Sequence, residues 1–367
     1  MTTIFDNCWA KTNALELKHD NKLRPCCVFK DPGFDLDDSI STVLDRYKNY
    51  TDEQITNTCK TCIAKSQSNS VSKKDYFNEV KDQGYVFFYD LQLSNLCNLA
   101  CTMCNSQFSS RWETLGDQLN RDYLIGFDKD SNKQWNVQAL QKIVQHIDQQ
   151  TQQGDVVISI KGGEPTIQPE VEQFINSLKS PQRIDFRIIT NLQRWPTWFD
   201  SGLEKFKRVD IGISIEGIEE TYEYSRVYGS WKTFLNNVEQ LVKLSKEYKN
   251  IKCGWKGLVT NHTVGDLARL NKYTRSYNSW TNGGWDRTNF VLSPIYMNPT
   301  ILPYSIAKPI TESFDSFFSV LKSNMLEKNN YSSKHFENFI DYTKRLDAVL
   351  GKNFLDTPTG KYFKEYI

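Results

Sequence analysis

Three cysteines stand at CxxxCxxC spacing in Leu93-Ser94-Asn95-Leu96-Cys97-Asn98-Leu99-Ala100-Cys101-Thr102-Met103-Cys104. Three thiolates on one short loop suit three corners of an iron–sulfur cube. Four-iron clusters usually take four cysteines. With three local ligands one iron stays open to another ligand, and an open iron is where chemistry can start. The competing chemistry is structural zinc, whose closed shell takes four ligands, typically paired CxxC units or nearby histidines. The four histidines of the chain are His19, His146, His262 and His335, and none lies near this loop. Zinc therefore fits less well than a cluster. A disulfide framework fits least, because reduced cytosolic proteins rarely carry one.

Five further cysteines precede residue 63: Cys8, Cys26, Cys27 and the CxxC unit Cys59-Lys60-Thr61-Cys62. A CxxC unit presents two thiolates from one turn. Four such ligands fit a zinc knuckle, and they also fit a closed second cluster. The first motif follows an apolar run, Tyr85 to Leu93, that reads as a strand. Lys161-Gly162-Gly163-Glu164-Pro165 follows a second strand pattern, Val156–Ile160.

CxxxCxxC after one strand and GGEP after the next resembles the radical S-adenosylmethionine (radical SAM) enzymes, and the resemblance covers most of the chain. It implies that Cys97, Cys101 and Cys104 hold a 4Fe-4S cluster whose open iron is chelated by the methionyl amine and carboxylate of SAM. Gly162, Gly163, Glu164 and Pro165 would approach that amine. Met103 stands where the family often has an aromatic residue, and its soft side chain can cover an adenine face. The resemblance places Asn191 on the ribose or carboxylate, Ser214 and Glu216 in the cofactor cavity, and Val259 beside the adenine. Arg226 follows by the distance at which related enzymes set a carboxylate-binding arginine. The implied reaction is electron transfer from the reduced cluster to the sulfonium. This gives methionine and a 5′-deoxyadenosyl radical that abstracts a substrate hydrogen. A reductant such as a flavodoxin or ferredoxin is implied too. Relatives act on ribosomal peptides, protein side chains or small polar alcohols.

Cys8, Cys26, Cys59 and Cys62 resemble the accessory 4Fe-4S module called twitch, related to SPASM domains, here preceding the barrel where most relatives have it following. Register selects Cys26 over Cys27: related modules carry a Gly five residues before the ligand, and Asn21, next best for a left-handed turn, holds that place. Four protein ligands would close this cluster and suit it to relaying electrons.

The elements that must position these groups alternate. Strand patterns at Val86–Leu93, Val156–Ile160, Asp185–Thr190, Val209–Ile215, Lys252–Val259 and Asn289–Leu292 are separated by helical patterns such as Val137-Leu140-Val144-Ile147 and Trp231 to Leu241, the latter with Ser230 as N-cap. Such alternation implies parallel βα units. The fold class expected is α/β, a partial (β/α)6 radical SAM barrel over 85–305. Residues 1–84 are expected to form an irregular cluster module, with a polar linker at Ser66–Lys74. Residues 306–367 are expected to form a helical cap whose helices are plain scaffolding. Period-two alternation turns Ser214 and Glu216 to one face. It also turns Lys252 and Lys256 inward, with Cys253 and Trp255 against helices. Asp90, Gln92, Lys161 and Lys256 then line a cavity suited to a substrate with carboxylate or amide groups.

Composition narrows the class. Lys+Arg is 45 against Asp+Glu 44 in 367 residues, so no net field favours nucleic acid or a membrane surface. No secretory signal or apolar span is visible, and a cytoplasmic location is expected. The alternative to an enzyme is a non-catalytic metal-binding interaction protein. Glu164, Ser214, Glu216 and Arg226 together favour the enzyme, since such a scaffold has no use for a SAM pocket.

Overall fold

Alternating apolar and polar residues on β5, Val156–Ile160, bury Val156, Ile158 and Ile160 completely and leave Val157 and Ser159 half-buried. That pattern is the signature of a strand packed on helices by one face. The computed structural model describes residues 8–18, 20, 22–30, 33–35, 39–67, 72–119, 137–277 and 294–367. Its strands are β1 (Ala14–Leu17), β2 (Lys22–Arg24), β3 (Phe34–Asp35), β4 (Phe88–Leu91), β5, β6 (Ile184–Thr190), β7 (Arg208–Ser214) and β8 (Ile251–Lys256). The sheet order is β3-β2-β1-β4-β5-β6-β7-β8. The pairs β1/β4, β4/β5 and β5/β6 are parallel, whereas β1/β2 and β2/β3 are antiparallel. The fold is thus α/β with an open, mostly parallel sheet.

The chain divides into two compact units. The first is Met1–Asn95, Ser131–Ile188 and Thr197–Asp210; the second is Leu96–Asp130, Ile189–Pro196 and Ile211–Ile367. In the first, register sorts the sheet into two faces. Leu15, Tyr89, Ile158 and Phe186 are cross-strand neighbours on one face, and Glu16, Asp90, Ser159 and Arg187 on the other. The Tyr89 hydroxyl lies 2.7 Å from His146 Nδ1 on the helix Val137–Gln150, so the apolar face is the helix-covered one.

Residues 1–84 correct the expectation of an irregular segment. Their described residues hold β1, β2 and β3 and the helices Ala10–Asn13, Ile40–Lys48, Asp52–Thr58, Lys60–Gln67 and Lys73–Val80. Strands of four, three and two residues are too short to show periodicity. The expected linker narrows for the same reason, because Ser66 and Gln67 end one helix and Lys73 and Lys74 begin the next. The strand expected at Asn289–Leu292 lies outside the described residues.

In the second unit Ser230 caps the helix Trp231–Glu247 by accepting from Thr233 N, as its sequence position implies. Trp255 is fully buried against Phe234 of that helix and Tyr273 of the helix Leu267–Arg275, the side its alternation assigns. Lys252, expected to point inward, is instead exposed at the start of β8, and Lys256 is half-buried. The helices Tyr304–Glu312 and Ser319–Leu326 flank a short 3-10 turn at Ser316–Phe318. The helix Ser333–Leu350 ends at Gly351, whose φ of 62° is the left-handed conformation that glycine tolerates.

His262 sits within this second core with no exposure. Thr343 Oγ1 donates its proton to Phe339 O at 2.8 Å, so it accepts from His262 Nε2 at 3.0 Å. The imidazole is therefore the neutral Nε2–H tautomer. Burial pushes its pKa down from 6.5 to about 3. A depressed pKa means that the unfolded chain binds the proton more tightly. The stabilisation is whole above pH 6.5 and is lost as pH falls toward 3. Urea unfolding from pH 7 to pH 4 should show stability falling by up to about 1.4 kcal/mol per pH unit from this residue. A His262→Gln variant should show a shallower slope; an unchanged slope would contradict the assignment.

Candidate active site

The cysteine loop is irregular backbone, so its buried N–H and C=O groups need partners outside a regular ladder. These partners come from elements distant in sequence within the second unit. Ala100 N donates to Val227 O at 3.1 Å and Thr102 N to Ser225 O at 2.8 Å. Ser109 Oγ donates to Leu99 O at 2.6 Å, and Trp112 Nε1 to Cys101 O at 3.1 Å, both from the segment that opens the helix Arg111–Gln118. Tyr342 of the helix Ser333–Leu350 donates to Thr102 O at 2.9 Å. This last bond corrects the reading of the C-terminal helices as scaffolding alone, since one of them holds the loop. Periodicity identifies Tyr342's helix but not its partner.

The thiols share one buried environment. Burial pushes the Cys104 thiol far up, the neighbouring Cys101 and Cys97 add to the rise, and Arg226 opposes it. Leu99 N–H donates to Cys97 Sγ at 3.5 Å, and Arg226 Nη1 to Cys101 Sγ at 3.7 Å. Arg226 reaches that place as half of a buried ion pair: Nε meets Glu216 Oε2 at 2.6 Å and Nη2 meets Glu216 Oε1 at 2.7 Å. Both side chains are more than nine-tenths buried. Sequence spacing led to both residues but not to their pairing. Asn191, also expected here, donates to Asn98 Oδ1 at 2.9 Å, inside the cysteine loop. Glu216 and Val259 are buried; Ser214 and Met103 are half-buried.

The GGEP segment belongs to the first unit. Gly162 and Gly163 have φ of 82° and 55°. A Cβ at Gly162 would stand 2.2 Å from Gln92 Cγ, so this glycine is required by conformation and by space. Glu164 is 1% exposed, and its Oε1 accepts from Thr166 N and Thr166 Oγ1, capping the 3-10 turn Pro165–Ile167. Also in this unit, Asp90 Oδ2 meets Lys161 Nζ at 2.5 Å, and Lys161 lies 3.9 Å from Glu16 Oε1. Glu16 is a site residue that sequence reasoning passed over, because β1 was too short to be recognised.

The N-terminal cysteines converge as well. A pocket of about 40 Å³ is lined by Cys8, Cys26 and Cys59 with Phe29, Tyr47 and Ile55. Cys62 N bonds Cys59 O at 3.0 Å across the turn between two helices. Burial pushes Cys59 up to about 11 and Cys26 well above the usual thiol range; charges on Cys8 and Cys62 add to the first, and charges on Cys27, Cys8 and Cys59 to the second. Among the described residues no three His, Cys, Asp or Glu are arranged to hold a single metal ion. Thiolates around one zinc must close to about 3.8 Å of one another, given Zn–S bonds of ~2.3 Å in a tetrahedron. A cluster spreads them over separate iron corners. Both all-cysteine donor sets, half-buried to buried, are chemically suited to iron–sulfur groups.

Residues 91–265 match the sequence model of the radical SAM superfamily. That stretch is similar to a radical SAM domain. It contains the three loop cysteines, the GGEP segment and Arg226. No curated protein matches the sequence. Among solved structures, native anSMEcpe with bound AdoMet is similar at 17% identity, covering 72% of this chain and 62% of its own, with a TM-score of 0.38. Streptococcus suis SuiB bound to S-adenosylmethionine is similar at 18% identity over 64% of this chain and 56% of its own, with a TM-score of 0.32. The matched stretch thus lies in a chain that spans less than two thirds of either relative.

Proposed function

We propose that this protein is a radical SAM enzyme that takes a hydrogen atom from a peptide, a protein side chain or a small polar substrate. The observation that carries this reading is the buried Cys97–Cys101–Cys104 loop with Arg226 donating to Cys101 inside the matched domain. When bound at these cysteines, a four-iron cluster and SAM supply a one-electron cleavage and a carbon-centred radical. The chain's own part is to bind, orient and keep dry. Loading the site must expel thiol protons, because burial holds Cys104 neutral. Gly162, Gly163, Glu164, Pro165, Asn191, Ser214, Val259 and Met103 are the residues we assign to SAM. Arg226 and Glu216 are better suited to bracing Cys101 than to grasping a carboxylate, because each fills the other's fork.

The N-terminal module, through residue 84, is in this proposal the carrier of a second cluster on Cys8, Cys26, Cys59 and Cys62. The pocket shared by Cys8, Cys26 and Cys59 supports it, Cys27 being absent from its lining. A closed cluster has no site for substrate, which suits it to passing electrons to and from a flavodoxin- or ferredoxin-like reductant.

Anaerobic reconstitution with iron and sulfide, followed by SAM and dithionite, tests the enzyme. 5′-Deoxyadenosine should accumulate well above the level of a Cys97→Ala control. Equal levels would leave a metal-binding protein without turnover.

A further inference from the structure

The polar face of the first unit carries an arrangement that a free-standing fold has no reason to keep. Glu16 and Asp90 are direct cross-strand partners on β1 and β4. They are 1% and 5% exposed. Like charges set opposite each other across a sheet destabilise it. Lys161 relieves Asp90 through Oδ2 at 2.5 Å, but it stays 3.9 Å from Glu16 Oε1. Lys18 stays 3.6 Å from Glu16 Oε2, beyond hydrogen-bond length. Arg24, the cross-strand partner of Glu16 on β2, acts on it by charge alone, because both its Nη atoms bond Asp20, at 3.2 and 2.7 Å. Glu16 Oε2 and Asp90 Oδ1 therefore have no hydrogen-bond donor among the described residues. A buried carboxylate oxygen without a donor costs about 1–3 kcal/mol or more, so each such atom needs an explanation. Burial correspondingly pushes Glu16 above the usual carboxylate range, despite Lys18 and Lys161.

We infer that Glu16 and Asp90 form a receptor for a primary ammonium group, such as a lysine side chain or a free amino terminus of a substrate. Two acceptor oxygens on adjacent strands, near the ammonium groups of Lys161 and Lys18 but bonded by neither, match the several donors of a further such group. The arrangement reverses the charge preference expected from the sequence. Lys161 is occupied by Asp90, so it does not offer a cation to a substrate carboxylate. Ligand chemistry passes instead to the two acids. Glu16, supplied by the N-terminal hairpin, is the residue that decides this. The inference stands on the first unit alone and does not depend on the radical chemistry.

The full-length protein tests it by calorimetry and thermal shift with n-butylammonium chloride as probe. Tetramethylammonium, a cation without N–H donors, and n-butanol, neutral and of similar length, serve as controls. Wild type should bind n-butylammonium saturably and in preference to both controls. E16Q and D90N should each weaken that binding by about tenfold or more while keeping the wild-type far-ultraviolet circular dichroism. Absence of saturable binding, equal binding of tetramethylammonium, or retention by a folded E16Q or D90N would each overturn the inference. If neither variant folds, the ranking of the three probes on wild type decides.

Discussion

Replacing Arg226 by alanine is expected to destabilise the second unit by about 3–5 kcal/mol, the cost of leaving one member of a buried ion pair without its partner. Glu216 has both oxygens bound to Arg226 and is almost wholly buried, so its charge has no other outlet. The pair is worth far less than that sum suggests, because removing both members spares the uncompensated charge. A Glu216→Gln, Arg226→Met double variant should recover most of the loss in urea unfolding. A drop below about 1 kcal/mol for Arg226→Ala would show the pair to be solvated or replaceable. The same variant removes the N–H directed at Cys101 Sγ. Arg226→Lys should keep the charge but not the fork, and it should therefore fall between the two in stability and in iron retained after reconstitution.

Cys26→Ala is expected to lose about four iron atoms per chain, one whole cube, while Cys27→Ala loses none. Cys26 lines the pocket with Cys8 and Cys59, and Cys27 does not. Iron and zinc content after anaerobic purification reads this directly. About one zinc and no more than one cube in wild type would sink the second cluster and leave a zinc knuckle. Equal iron loss from Cys26→Ala and Cys27→Ala would show that the cavity does not choose between them. Loss of the accessory group should also loosen the helices Asp52–Thr58 and Lys60–Gln67, whose junction the CxxC unit forms.

Chemistry that depends on residue type at fixed spacing was already present in the linear chain. Cys97, Cys101 and Cys104 declare their loop because a cluster needs three thiolates within one short turn. Gly162 and Gly163 declare theirs because only glycine holds such φ angles cheaply next to Gln92. Longer strands and amphipathic helices announced themselves by period, and Trp255 took the side that its alternation assigned. Pairing over long sequence separation carries no local signal. Nothing near Thr102 announces Tyr342, 240 positions away. The Glu216–Arg226 pairing arises only when a strand end and the end of the helix Glu219–Ser225 are brought together. Glu16 shows the limit most plainly. A four-residue strand is too short to reveal its faces, so only register against β4 could set that carboxylate opposite Asp90 and turn a lysine-lined expectation into an acidic one.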